Sequence, residues 1–294
     1  MKRILVTGGA GFIGSHFVDY LVEHYRDEVV VLDKLTYAGH LENLRKSRDQ
    51  IQFIKGDIAD PEDLQIAFSG GIDWVVNFAA ETHVDNSISG PMVFGQTNLL
   101  GTLRLLAFAA ERNVSRFLHI STDEVYGSRD EGYFREADAH LPSSPYAATK
   151  SGAEKLVWSY HVTYGLPVLI TRSSNNYGPR QHREKFIPKC ISNACSGEKI
   201  PVYGDGQNQR DWLYVKDNAE AVDCVLRNGH CGEAYNIAAQ CSLPNIELAR
   251  KIVRLVGATE DLIEFVEDRK GHDFRYAIDT SKIESLGWKA STEF

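Results

Sequence analysis

The chain has 294 residues, 43% of them hydrophobic and 24% charged, and a formal net charge of −8. That is enough apolar material for one large core or two coupled ones, and too little Pro and Gly for disorder. The acidic balance, with no Lys/Arg run, excludes a nucleic-acid partner but leaves room for a small phosphorylated ligand.

The chain runs straight into a strand at Arg3-Ile4-Leu5-Val6, with no apolar leader and small-residue cleavage site before it. The expected strand Ile4–Thr7 leads into Gly8-Gly9-Ala10-Gly11-Phe12-Ile13-Gly14 and a helix over Ile13–Tyr25. Glycines at 8, 11 and 14 let the chain turn tightly, approach a pyrophosphate and pack helix on strand. A second strand, Val29–Leu32, delivers Asp33 about 20 residues on, where a carboxylate can accept the hydroxyls of an adenine ribose. The same carboxylate repels the 2′-phosphate of NADP, so the cofactor read here is NAD. Strands Gln52–Ile54 and Trp74–Phe78 end near Asp57-Ile58 and Phe78-Ala79-Ala80, placed to line the adenine and nicotinamide sides. Pro61–Phe68 and Leu99–Glu111 read as helices.

After the strand Phe117–Ile120 comes Ser121-Thr122-Asp123-Glu124-Val125-Tyr126-Gly127. Two adjacent carboxylates leaving a strand at its ligand-facing end can serve as acid and base, and burial with mutual repulsion favours one staying protonated. Consecutive residues of a continuing strand point to opposite faces, so this reading requires the strand to end by Thr122. The alternative is an acidic surface loop. The helix Tyr146–Tyr164 follows, with Ser144 as its cap and Pro145 at its first position. Tyr146 and Lys150 are four apart and share one face, where an ammonium can lower the phenol's pKa and make it a base toward a hydroxyl.

Beyond the strand Val168–Thr171 and Asn175 the rhythm weakens, with helices expected near Ile187–Ala194, Lys216–Leu226 and Ile246–Leu255. The fold class is therefore α/β: a Rossmann-type parallel sheet flanked by helices, with a smaller mixed α/β C-terminal lobe. Residues 1–175 form the expected NAD-binding unit with the catalytic residues. Residues 176–294 form a predominantly substrate-binding lobe, with room to return strands or helices to the first. Five cysteines without a CxxC pair fit neither a disulfide framework nor a zinc site, and Cys190 and Cys195 stand too far round a helix to share a face. No metal is expected, and the setting read from the thiols is a reducing cytoplasm. No apolar stretch approaches membrane-spanning length, so no membrane partner is expected.

Thr7-Gly8-Gly9-Ala10-Gly11-Phe12-Ile13-Gly14 with Tyr146-Ala147-Ala148-Thr149-Lys150 resembles the extended short-chain dehydrogenase/reductase superfamily. Within it, Thr122-Asp123-Glu124 resembles the signature of the dTDP-glucose 4,6-dehydratases, where epimerases carry small or neutral residues. Leu35-Thr36-Tyr37-Ala38-Gly39, Ala79-Ala80-Glu81-Thr82-His83-Val84-Asp85, Ser174-Asn175-Asn176-Tyr177-Gly178-Pro179 and Arg269-Lys270-Gly271-His272-Asp273 extend the likeness along nearly the whole chain. The resemblance implies a dehydration by internal hydride transfer from C4 to C6 of the sugar through NAD. In it Thr122 holds the 4-hydroxyl, Asp123 is the acid, Glu124 the base at C5 and Tyr146 the base at C4.

The resemblance also implies cofactor contacts at Lys34, Leu35, Thr36, Thr97 and Asn176. It implies substrate contacts at Thr82, Asn175, Lys185, Phe186, Pro201, Val202, Tyr203, Arg210, Asn245, Arg269 and His272. As a set these suit a nucleotide sugar: Tyr203 offers a face to a pyrimidine, while Arg210, Arg269 and His272 supply positive charge to a diphosphate. The chain departs from the pattern at Phe186 (Leu in the family), Asn86 (Arg) and Lys270 (often Pro), which bears on the nucleotide base, and UDP-glucose stays open beside dTDP-glucose. It closes at Phe294, before a terminal helix into which such enzymes usually continue. Two rivals remain: a 4-epimerase, in which Asp123 and Glu124 are incidental, and a cofactor-binding regulator without catalysis. A homodimer is expected through the long helices Leu99–Glu111 and Tyr146–Tyr164.

Overall fold

The computed structural model describes residues 1–269 and 271–294; Lys270, one of the departures above, lies outside the described residues. In chain order the elements are β1 (Arg3–Thr7), α1 (Phe12–His24), β2 (Glu28–Asp33), β3 (Ile51–Lys55), α2 (Pro61–Ala67), β4 (Trp74–Asn77), α3 (Val84–Ser89), α4 (Pro91–Phe94), a π-helical stretch (Gly95–Gly101), α5 (Thr102–Glu111) and β5 (Arg116–Thr122). There follow α6 (Pro145–Tyr164), β6 (Val168–Ser173), β7 (Asn175–Tyr177), α7 (Phe186–Ser196), β8 (Ile200–Tyr203), β9 (Gln209–Tyr214), α8 (Val215–Asn228), β10 (Glu233–Ile237), β11 (Ser242–Pro244), α9 (Asn245–Leu255) and β12 (Ile263–Val266).

Seven strands make one parallel sheet in the order β10-β6-β5-β4-β1-β2-β3. Buried on both faces, they read as continuous apolar runs, and successive side chains enter different cores. Ile4 and Val6 pack with Phe17 and Leu21 of α1 and Val222 and Leu226 of α8. Leu5 points the other way, into a core with Leu64 of α2, Leu105 of α5 and Val157 of α6. The expected α/β class and its six strands are thus borne out, and β10 adds an outer strand from the C-terminal third.

The helix expected from Leu99 begins earlier, because Pro91 can start a helical run that the π turn carries into α5. Around it, the buried Asn98 side chain accepts from Glu81 N at 2.9 Å and donates to the Thr149 hydroxyl, also at 2.9 Å, tying the end of the β4 loop to α6. Beyond β6, β7 and β9 pair parallel, β11 joins β9 antiparallel, and β8 pairs with β12. Cys190, Trp212, Leu248 and Ile252 give these elements a core of their own.

Helix α6 starts as expected, with Ser144 accepting from Ala147 N and Pro145 at the first position, and it ends on Gly165 at φ 68°. Glu154 on its inner face is 2% exposed and meets Arg172 of β6, 5% exposed, through the Nη2–Oε2 contact of 2.7 Å and a second pair from Nε. Arg172 also donates to the Glu136 carbonyl and the Tyr126 hydroxyl. Removing one partner of such a pair strands a buried charge. Arg172→Met is therefore expected to cost about 3–5 kcal/mol, and Arg172→Met with Glu154→Leu to recover most of it. Urea unfolding measures both; equal losses in the single and double variants would contradict this account.

Candidate active site

Two cavities, of about 300 and 490 Å³, lie along the carboxyl ends of the parallel strands and share Thr82, Glu124, Asn175, Glu184 and Lys185. The first is bounded by the glycine loop. Gly8 has φ 69°, and a Cβ there would stand 2.6 Å from Ala79 N; one on Gly14 would collide with the Gly8 carbonyl oxygen. Behind this cradle α1 begins with no side-chain cap and no acidic residue in its first turn, leaving its N–H groups and dipole to an anion.

Asp33 closes the far side, its carboxylate accepting from Ala10 N at 2.9 Å and Leu35 N at 2.8 Å. Burial pushes its pKa up while those two N–H groups pull it down. Lys34 pairs with Asp57 at 2.7 Å. The donor set fits a dinucleotide with a free ribose edge. All the predicted cofactor residues but one line this cavity. The exception is Leu35: at φ 55° it gives only its backbone N–H to Asp33, and its side chain turns into the core.

Strand β5 ends at Thr122 and a tight turn begins at Asp123, the condition that the paired carboxylates required. The Thr122 hydroxyl accepts from Glu124 N, and both carboxyls face the site instead of bulk solvent. Asp123 is 3% exposed, and its Oδ2 has no hydrogen-bond partner among the described residues. Burial first, then the Glu124 charge, push its pKa well above the usual carboxylate range. Glu124 is also raised by burial, but Arg269, Arg210 and Lys185 oppose the shift. The two acids are thereby raised unequally: Asp123 is driven well up toward the protonated form, while the cations around Glu124 hold back its rise.

Tyr146 and Lys150 enter the same cavity from α6. Lys150 is 4% exposed and donates to the Ile120 carbonyl at 2.6 Å; burial lowers its pKa to about 8. The expectation that Lys150 lowers the phenol's pKa is not met. Burial, then Glu124, hold the Tyr146 phenol well above its ordinary value, and the Thr122 hydroxyl opposes them.

The second cavity carries the predicted substrate residues except two: Thr122 lines the first, and Val202 lines neither. Alternation along β8 explains Val202, since Pro201 and Tyr203 face the cavity while Val202 is wholly buried on the other side. Arg210 is buried against three backbone carbonyls and the Tyr276 ring, and it forms no ion pair among the described residues, which leaves its charge to a ligand. Arg269 lies 3.8 Å from Asp85, and Tyr203 donates to the same carboxylate at 3.3 Å. The charge expected of His272 is corrected: burial and Arg269 lower its pKa, so near neutral pH it offers mainly a hydrogen bond. Sequence reasoning missed Gln181 and His182 on the first cavity and Trp212 and Tyr276 on the second. Their only signal was nearness to the motifs.

Because the folded chain raises the Asp123 pKa, Asp123 contributes stability below the ordinary carboxylate pKa that is lost as pH rises toward the folded value. Asp123→Asn should match the parent in thermal stability near the unfolded carboxylate pKa and exceed it by at least about 1 kcal/mol above neutrality. Melting curves across pH read this directly, and a constant difference at every pH would refute it.

Residues 5–294 match the GDP-mannose 4,6 dehydratase family. The low-salt glycan biosynthesis protein Agl12 of Haloferax volcanii is 54% identical over 293 residues, covering 99% of this chain and 94% of that protein. A dTDP-glucose 4,6-dehydratase of Streptomyces niveus is 47% identical over 300 residues, 99% of this chain and 89% of its own. DesIV, a dTDP-glucose 4,6-dehydratase of Streptomyces venezuelae solved with NAD and dTDP bound, superposes with a TM-score of 0.97 at 47% identity, over 99% of this chain and 93% of that one. Over nearly its whole length, therefore, the chain belongs to the GDP-mannose 4,6 dehydratase family, and the likeness its motifs bear to the dTDP-glucose 4,6-dehydratases is borne out.

Proposed function

We propose that this chain is an NAD-dependent hydro-lyase that converts dTDP-glucose to dTDP-4-keto-6-deoxyglucose. The observation that carries the reading is the acid pair: Asp123 and Glu124 follow β5 directly, their pKa values are raised unequally, and Glu124 borders both cavities. A nucleotide sugar with its base and diphosphate in the larger cavity reaches this junction with its hexose. Arg210 and Arg269 neutralise the diphosphate, and Tyr203 offers its face to the base.

Thr122 holds the 4-hydroxyl, and Tyr146 takes its proton. NAD, which the glycine loop and Asp33 would hold, would supply hydride acceptance from C4 and hydride return at C6, and the positive charge of its oxidised ring would favour the Tyr146 phenolate. Glu124 removes the C5 proton, which the 4-ketone has made acidic. Asp123, kept protonated, gives its proton to the departing 6-hydroxyl. An epimerase needs neither of these last two steps. In this reading residues 1–175 hold cofactor and catalytic groups, and residues 176–294 hold most of the nucleotide sugar. The unpaired cysteines favour a cytoplasmic setting.

Association as a homodimer is supported by apolar side chains exposed on the long helices and their approach, at Met92, Leu100, Trp158 and Val162. Sedimentation should give a dimer mass that Trp158→Glu with Val162→Glu reduces to the monomer; a monomeric parent would refute it. For the reaction, dTDP-, UDP- and GDP-glucose are offered separately, with deuterium at C4. The dTDP sugar should give the 4-keto-6-deoxy product with the label at C6 of the same molecule. Label lost to solvent, or a 4-epimer as product, would refute the assignment.

A further inference from the structure

Lys150 enters the first cavity beside Tyr146, and next to it a histidine in the middle of the sheet takes no part in the steps above. His119 lies on β5 between Leu118 and Ile120, in an otherwise apolar run, and is 1% exposed. Its Nε2 is 3.4 Å from Lys150 Nζ. Its Nδ1 is 3.2 Å from the side-chain amide of Asn77, the residue paired with it in register on β4. Asn77 in turn meets the hydroxyl of Thr7 at 2.7 Å and that of Thr102 at 3.3 Å. A buried polar chain therefore crosses β1, β4 and β5 and ends on α6. Its first member, Thr7, directly precedes the glycine loop.

Lys150 has three N–H donors to satisfy in a buried place, and the Ile120 carbonyl takes one. The imidazole is neutral, because burial and the neighbouring ammonium both hold its pKa well below the ordinary value. A neutral ring has one protonated nitrogen and one bare one. We propose that His119 is the positioning residue for Lys150: it carries its proton on Nδ1 and presents a bare Nε2 to the ammonium, keeping Lys150 charged and aimed at the cofactor cavity. Asn77 then turns its carbonyl oxygen to accept from His119 Nδ1–H and from the Thr102 hydroxyl, and its NH₂ to donate to the Thr7 hydroxyl, an exchange of ends that keeps the same heavy-atom neighbours. The opposite tautomer would aim an N–H at the ammonium and suits only an uncharged lysine.

The charges facing this chain are few. Glu154, one turn further along α6, faces Lys150, and Lys150 faces His119. Asp123 and Glu124, from the turn after β5, and Tyr37 bear on the Tyr146 phenol instead.

This assignment rests on the proposed NAD-dependent site, and its test separates the two. Nitrogen NMR of the ¹⁵N-histidine-labelled parent, with His119→Gln as the assignment control, reads the tautomer without any turnover. A proton on Nδ1 supports the proposal; a proton on Nε2 overturns it. The pH profile of kcat with dTDP-glucose is the second readout. His119→Phe keeps the shape but loses the acceptor, so its alkaline limb should move to lower pH by about one unit. His119→Gln, which restores an oxygen near the Nε2 position, should return the limb toward the parent's. A Phe variant whose limb coincides with the parent's overturns the proposal, and if neither variant folds the tautomer of the parent, assigned by elimination among its other histidines, decides alone. A parent that turns over no nucleotide glucose counts against the proposed function and leaves the tautomer result standing.

Discussion

The site depends on the burial of one polar face of α6. Tyr146, Lys150 and Glu154 follow one another at intervals of four, so all three point at the sheet, and all three are almost wholly covered. Three polar groups in a packed interior are tolerable only if the strands beneath supply partners. Arg172 on β6 meets Glu154, the Ile120 carbonyl on β5 meets Lys150, and the Thr122 hydroxyl at the end of β5 bears on Tyr146. The same contacts that anchor the helix thus fix where the phenol and ammonium stand relative to the strand ends.

That placement sets the electrostatics of the turn after β5. Asp123 is enclosed, with the Glu124 carboxylate beside it and the Arg210 guanidinium bearing on it as the opposing charge. Glu124 reaches the opening between the cavities, where Arg269, Arg210 and Lys185 all favour its charge. Two adjacent acids with near-identical intrinsic chemistry are therefore separated by one residue's difference in direction. Elimination of water beside a ketone needs that inequality, since one group must arrive with a proton and the other without.

Much of this was legible in the residues. The order of strand, glycine loop, helix and Asp33 gave the cofactor half, because each feature answers to local geometry. The interval from Tyr146 to Lys150 gave a shared face, and it continued unremarked to Glu154. What escaped was set by tertiary context. Leu35 lies within a motif stretch and Val202 between two cavity residues, yet β8 alternation at Val202 and a left-handed backbone at Leu35 carry both side chains away from the cavities. The charge state of His272 and the raised phenol of Tyr146 follow from burial, which no spacing reveals. His119 did leave a trace, a polar residue in an apolar strand, but its partners come from β4 and α6.

The central claim is that Glu124 removes the C5 proton and Asp123 protonates the leaving hydroxyl. Turnover of the nucleotide sugar in D₂O, with the deuterium at C5 read by mass spectrometry, separates the two roles. Glu124→Gln should leave C5 unexchanged, whereas Asp123→Asn should still exchange C5 yet form little 6-deoxy product. Exchange at the parental rate in Glu124→Gln would contradict the account.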